Sequence, residues 1–119
     1  MNSILLVDDE PEILAAWRLI LVNEGYEVRC ARNGVEALEA LKLGTPDVII
    51  TDWMMPLMDG AELCRRLKAR PDLARVPILV HSAARPSQDG LQASSGYLPK
   101  PVNVPLFLTT VARFCKKGR

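Results

Sequence analysis

The chain has 119 residues, 49% of them hydrophobic and 24% charged, with 15 Lys+Arg against 14 Asp+Glu and a formal net charge of +1. That length holds one domain with a real core, and the balance excludes a disordered tail. Near-neutrality argues against direct nucleic-acid binding, and no apolar run approaches the ~20 residues that span a bilayer, so membrane insertion is not expected.

Strand-like and helix-like patterns alternate along the chain. Ser3-Ile4-Leu5-Leu6-Val7 is a continuous apolar run, the mark of a strand buried on both faces, and it ends in Asp8-Asp9. Pro11 opens a helix in which Ile13, Leu14, Trp17, Ile20 and Leu21 recur at helical spacing, and Gly25 closes it. Tyr26 to Ala31 reads as a second strand. Asn33-Gly34 is a turn and a cap, followed by Val35, Leu38 and Leu41 on one helical face and a stop at Gly44. Asp47 to Asp52 is a third strand, again ending in an acid. Asp59-Gly60 starts a helix carrying Leu63, Cys64 and Leu67. Pro77 to Ser82 is a fourth strand and Tyr97 to Lys100 a short fifth. Val104, Phe107, Leu108, Val111 and Phe114 mark a final amphipathic helix.

This alternation predicts an α/β fold, a flavodoxin-like, doubly wound, five-stranded parallel sheet in the order 2-1-3-4-5. In that order the carboxyl ends of strands one and three flank the switch point where ligands bind. Asp8, Asp9 and Asp52 therefore converge. Clustered carboxylates repel one another unless protons or a cation neutralise them, and a set of oxygen ligands selects a hard cation such as magnesium. Ser82 and Lys100, at the ends of strands four and five, supply a hydroxyl and an ammonium. Acids, metal, hydroxyl and ammonium together suit phosphoryl transfer to a carboxylate.

These residues resemble a known family. Asp8-Asp9, Asp52-Trp53-Met54-Met55-Pro56-Leu57-Met58-Asp59-Gly60, His81-Ser82-Ala83 and Tyr97-Leu98-Pro99-Lys100-Pro101 are similar to the receiver domain of two-component response regulators. The resemblance runs from about Ser3 onward, so residues 1–119 are expected to be one receiver domain with no output domain. It implies that Asp52 accepts phosphate from a histidine kinase or a histidine phosphotransfer protein. It implies that Asp9, Asp52 and the backbone carbonyl of Met54 hold Mg2+ directly, with Asp8 acting through a metal-bound water and with Mn2+ or Ca2+ as substitutes. Ser82 and Tyr97 become the switch pair, Lys100 the cation that follows the phosphate, and Lys100–Pro101 a cis peptide bond. Signalling then runs through altered docking to an unnamed downstream protein, by a monomer or weak dimer. An alternative is a receiver excised from a hybrid kinase or longer regulator. A degenerate receiver used as a scaffold is a further reading, although none of the acids nor the lysine is lost. A magnesium-dependent phosphohydrolase would want a second acid two residues after the nucleophile, and that position is Met54. No enzyme activity beyond self-phosphorylation and slow autodephosphorylation is expected.

The stretch from Ser82 to Lys100 is about one helical turn shorter than usual in the family. Pro86, Gly90 and its serines predict a short or irregular fourth helix within residues 83–96. His81 reads as a hydrogen-bonded structural histidine, Trp17 as a packing residue, Met54, Met55 and Met58 as loop and packing residues, and Trp53 as a neighbour of the metal. Cys30, Cys64 and Cys115 are odd in number and widely spaced, which suits a reducing cytoplasm.

Overall fold

The computed structural model describes residues 2–86, 88, 92 and 94–117. The expected irregularity of residues 83–96 turns on residues 87, 89–91 and 93, which lie outside the described residues. The elements are β1 (Ser3–Val7), α1 (Pro11–Asn23), β2 (Glu27–Ala31), α2 (Gly34–Leu41), β3 (Val48–Thr51), α3 (Gly60–Lys68), β4 (Ile78–Ser82), β5 (Gly96–Pro99) and α4 (Val104–Lys117). The five strands form one parallel sheet in the order β2-β1-β3-β4-β5, as expected. Boundaries move by a residue or so. Tyr26 and Asp47 lie just outside their strands, and β5 begins at Gly96.

The strands sort their side chains by the period of two. In β1, Leu5 and Val7 face one layer, where they join Ala37 and Leu41 of α2 and Leu63 and Leu67 of α3. Ile4 and Leu6 face the opposite layer, with Leu21 of α1 and Phe107, Val111 and Phe114 of α4. Both faces are covered, which explains why β1, β3 and β4 are apolar without alternation. Phe107 is fully buried, a burial that contributes roughly 2–3 kcal/mol.

The helix starts are set locally. The Asn33 side chain accepts from the Glu36 N–H and the Asp59 side chain from the Glu62 N–H, satisfying donors that the first turn leaves free. Gly25, at φ +95°, ends α1 in a conformation that few other residues adopt. Gly60 is required by close approach. A Cβ there would stand 2.7 Å from the Asp52 carbonyl, so glycine lets α3 return to the end of β3.

Candidate functional site

All the strands point the same way, so their carboxyl ends share one rim. Val7 pairs with Thr51 across β1 and β3, which sets Asp8 and Asp52 side by side one residue further on. The Asp52 N–H donates to the Val7 carbonyl at 2.9 Å and the Asp8 N–H to the Ala31 carbonyl at 3.0 Å. Both acids are buried, at 6% and 3% exposure. Asp8, Asp9, Glu10 and Asp52 each offer a carboxylate oxygen, and these oxygens lie within 4.8 Å of one another.

One ammonium answers this charge. Lys100 Nζ donates to Asp8 Oδ2 at 2.8 Å, to Asp52 Oδ2 at 3.1 Å and to Glu10 Oε1 at 3.3 Å. Backbone donors help. The Trp53 N–H reaches Asp52 Oδ1 at 2.7 Å and the Glu10 N–H reaches Asp8 Oδ1 at 2.9 Å. Burial raises the pKa of the Asp8 carboxyl above its ordinary value, and the bonds from Lys100 and from the Glu10 N–H only partly offset this. Burial also works against the charge on Lys100, but its bonds to Asp8 and Asp52 outweigh it, so its pKa is raised and it stays an ammonium at neutral pH.

The donor set fits a hard divalent cation. Every ligating atom is oxygen, four acids face one lysine, and no thiolate or imidazole takes part in the cluster.

The comparisons with known proteins agree with this geometry. A family profile for the response regulator receiver domain matches residues 4–112. The chain belongs to that family.

This receiver is 32% identical over 123 residues to the phosphate regulon transcriptional regulatory protein PhoB of Rhizobium meliloti (strain 1021), covering 100% of this chain and 54% of that one. It spans about half the length of the curated relatives it matches. Among solved structures it resembles the signal receiver domain of a signal transduction histidine kinase from Syntrophus aciditrophicus. The TM-score there is 0.88 at 32% identity, over 98% of this chain and 92% of that one. The response regulator TrrA of Thermotoga maritima, in complex with Mg(2+)-BeF, gives a TM-score of 0.87 at 31% identity, over 96% of this chain and 99% of that one.

Asp8, Asp9, Asp52 and Lys100 thus meet in the receiver as their order in the sheet required. Ser82 ends β4, where its Oγ accepts from the Ala84 N–H at 3.2 Å. Tyr97 is half-buried, and its Oη donates to the Ser82 carbonyl at 3.3 Å, so the two switch candidates are already in contact. Lys100–Pro101 is cis, as the resemblance implied. Met58 is buried and Met55 packs against the core, whereas Met54 is 64% exposed.

Glu10 was not singled out in the sequence. It is the N-cap of α1, and Pro11 behind it fixes the start of the helix, so the Glu10 side chain is left to reach Lys100. Its signal was its place directly after Asp8-Asp9. The Trp53 N–H donates to Asp52 Oδ1 at 2.7 Å, and the Trp53 side chain packs in the layer formed with α2 and α3. Trp17 lines a tight crevice together with Asp8, Asp52 and His81.

Proposed function

We propose that residues 1–119 act as one receiver unit that takes a phosphoryl group onto Asp52 from the phosphohistidine of a histidine kinase or phosphotransfer protein. The observation that carries this reading is the Lys100 ammonium held between the carboxylates of Asp8 and Asp52, inside an acid cluster that needs more positive charge than one lysine provides. An Asp52 carboxylate oxygen bonds to phosphorus, the P–N bond to the donor imidazole breaks, and the imidazole nitrogen keeps the electron pair. Asp9, Asp52 and the Met54 carbonyl would hold Mg2+ directly, with Asp8 acting through a water. When bound, the ion neutralises the phosphoryl charge, and Mn2+ or Ca2+ can take its place.

Lys100 accompanies the phosphoryl group on Asp52. The Ser82 hydroxyl leaves the Ala84 N–H for a phosphoryl oxygen, and Tyr97 moves inward over the space that Ser82 vacates. Local charge thus biases a two-state packing element, and the protein shifts its population between the two states. Receiver domains are signalling modules rather than enzymes, and slow hydrolysis of the aspartyl phosphate resets this one. A downstream protein reads the altered surface, and nucleic-acid binding is not assigned to these residues. No helix among the described residues is long and apolar enough to cross a membrane, and we place the receiver in the cytoplasm.

The test is intact-mass analysis after treatment with acetyl phosphate and magnesium. The wild type gains one phosphoryl group and Asp52→Asn gains none. Equal labelling of both proteins would reject Asp52 as the acceptor.

A further inference from the structure

A cavity of about 460 Å³ lies between α1 and the segment that follows β5, and the phosphoacceptor chemistry does not use it. Ile13 and Trp17 of α1, Ala83 just past β4 and Val102 just before α4 give it apolar walls. Glu10, His81 and Lys100 are its polar groups. That volume, with mostly apolar walls and a few converging polar groups, has the character of a small-molecule site.

The aromatic wall is fixed by packing. Trp17 stacks on the buried Phe107 with ring centroids 3.8 Å apart and meets His81 edge-on at 5.5 Å. Charge then decides what such a cavity takes. The Lys100 side chain is only 11% exposed and is already bonded to Asp8 and Asp52. The Glu10 side chain is 57% exposed and stands furthest from that ammonium, at 3.3 Å. With all of them ionised, Asp8, Asp9, Glu10 and Asp52 outnumber Lys100, and a divalent ion in the cleft would still leave one negative charge uncovered. Burial keeps the His81 imidazole neutral, its pKa lowered to about 4, so it adds no positive charge to the wall. Aromatic walls also favour a cation over an anion.

We propose that this cavity binds a small aromatic amine, with its ring system seated against Ile13, Trp17 and Val102 and its ammonium on the Glu10 carboxylate. The amine supplies the one positive charge that the rim lacks. An acid of the same shape meets the surplus negative charge of the cleft. A neutral ring gains the apolar walls and leaves Glu10 unanswered. A ligand of about a dozen heavy atoms should bind with a Kd of about 1 mM.

The probes are tryptamine, tryptophol and indole-3-propionate, nearly one shape carrying a positive charge, no charge and a negative charge. Each is titrated into the isotope-labelled protein in saturating magnesium, so that the amine does not serve merely as a counter-ion for the acid cleft. The readout is the pair of tryptophan indole N–H resonances, assigned with Trp53→Phe. Trp53 packs in the opposite layer from Trp17 and is the internal control. Tryptamine is expected to move the Trp17 signal and leave that of Trp53 in place. Tryptophol should bind about fivefold more weakly, the upper scale of one partly exposed ion pair, and indole-3-propionate more weakly still. Glu10→Gln should bring tryptamine down to the affinity of tryptophol and leave tryptophol unchanged. Ala83→Leu, which narrows the cavity from an exposed position, should weaken both probes about fivefold. Equal affinity for the three probes overturns the proposal. So does tryptamine binding that either variant leaves unchanged, a shift at Trp53 rather than Trp17, or no shift at about 10 mM tryptamine, tenfold above the expected Kd.

Discussion

Asp47 and Asp52 bracket the same strand and meet opposite surroundings. At the amino end of β3, Asp47 Oδ2 accepts from the Ser3 N–H at 2.7 Å, and the Asp47 N–H returns a bond to the Ser3 carbonyl at 2.8 Å. That acid is answered by one backbone donor and ties β3 to β1. At the carboxyl end, Asp52 is buried with Asp8 and shares a single ammonium with two other carboxylates. An acid whose bonds are satisfied by backbone is architecture. A group of acids that outnumbers its cations suits a bound cation, which would relieve the repulsion between them.

The largest test of this contrast removes the charge on each side. Lys100→Met should lower unfolding free energy by about 3–5 kcal/mol in magnesium-free buffer, since it leaves buried carboxylates without their cation. Asp47→Ala should cost about 1–2 kcal/mol, the scale of one charge-assisted hydrogen bond. Urea denaturation of the two variants measures both. Saturating magnesium should recover part of the Lys100→Met loss and none of the Asp47→Ala loss. Equal losses, both insensitive to magnesium, would erase the distinction between the two ends.

A smaller effect sharpens it from beneath the cleft. His81 is 3% exposed, edge-on to both Trp17 and Phe107, and its Nε2 has no hydrogen-bond partner among the described residues. Burial, aided by the nearby Lys100 charge, lowers its pKa to about 4. The unfolded chain takes up that proton near pH 6.5, before the folded protein does. The contribution is therefore fully present above pH 6.5 and is lost as pH falls toward 4, by up to about 3 kcal/mol. Asp8 runs the other way, because its raised pKa makes the folded state hold a proton that the unfolded chain has released. The informative quantity is the stability of His81→Leu minus that of wild type, in which Asp8 largely cancels. It should rise on acidification from pH 7 to pH 4.5. A difference that does not vary with pH would contradict the lowered pKa of the buried His81.

Much of this was legible in the sequence. Apolar strands that end in acids, separated by helices of regular period, dictate which carboxylates meet once the sheet order is known. Lys100 and Ser82 follow from the same argument, since both end strands on the same rim. What periodicity could not give was the direction of side chains just past a strand end. The Trp53 side chain packs in the α2–α3 layer, and Trp17 of α1 packs in the opposite layer with Phe107. The stacking of Trp17 on Phe107, with ring centroids 3.8 Å apart, depends on α1 and α4 sharing one face of the sheet. Glu10 was hidden because a residue before a helix-opening proline reads as a cap. The left-handed Leu57 was hidden because leucine gives no signal for that conformation.

The most direct measurement is a crystal structure of the protein with magnesium and beryllofluoride. The account predicts beryllium bonded to an Asp52 oxygen, with the Lys100 ammonium and the Ser82 hydroxyl on its fluorides. It places Mg2+ at ~2.1 Å from Asp9, Asp52 and the Met54 carbonyl. Magnesium held away from Asp52, or a fluoride adduct on any other side chain, would contradict it.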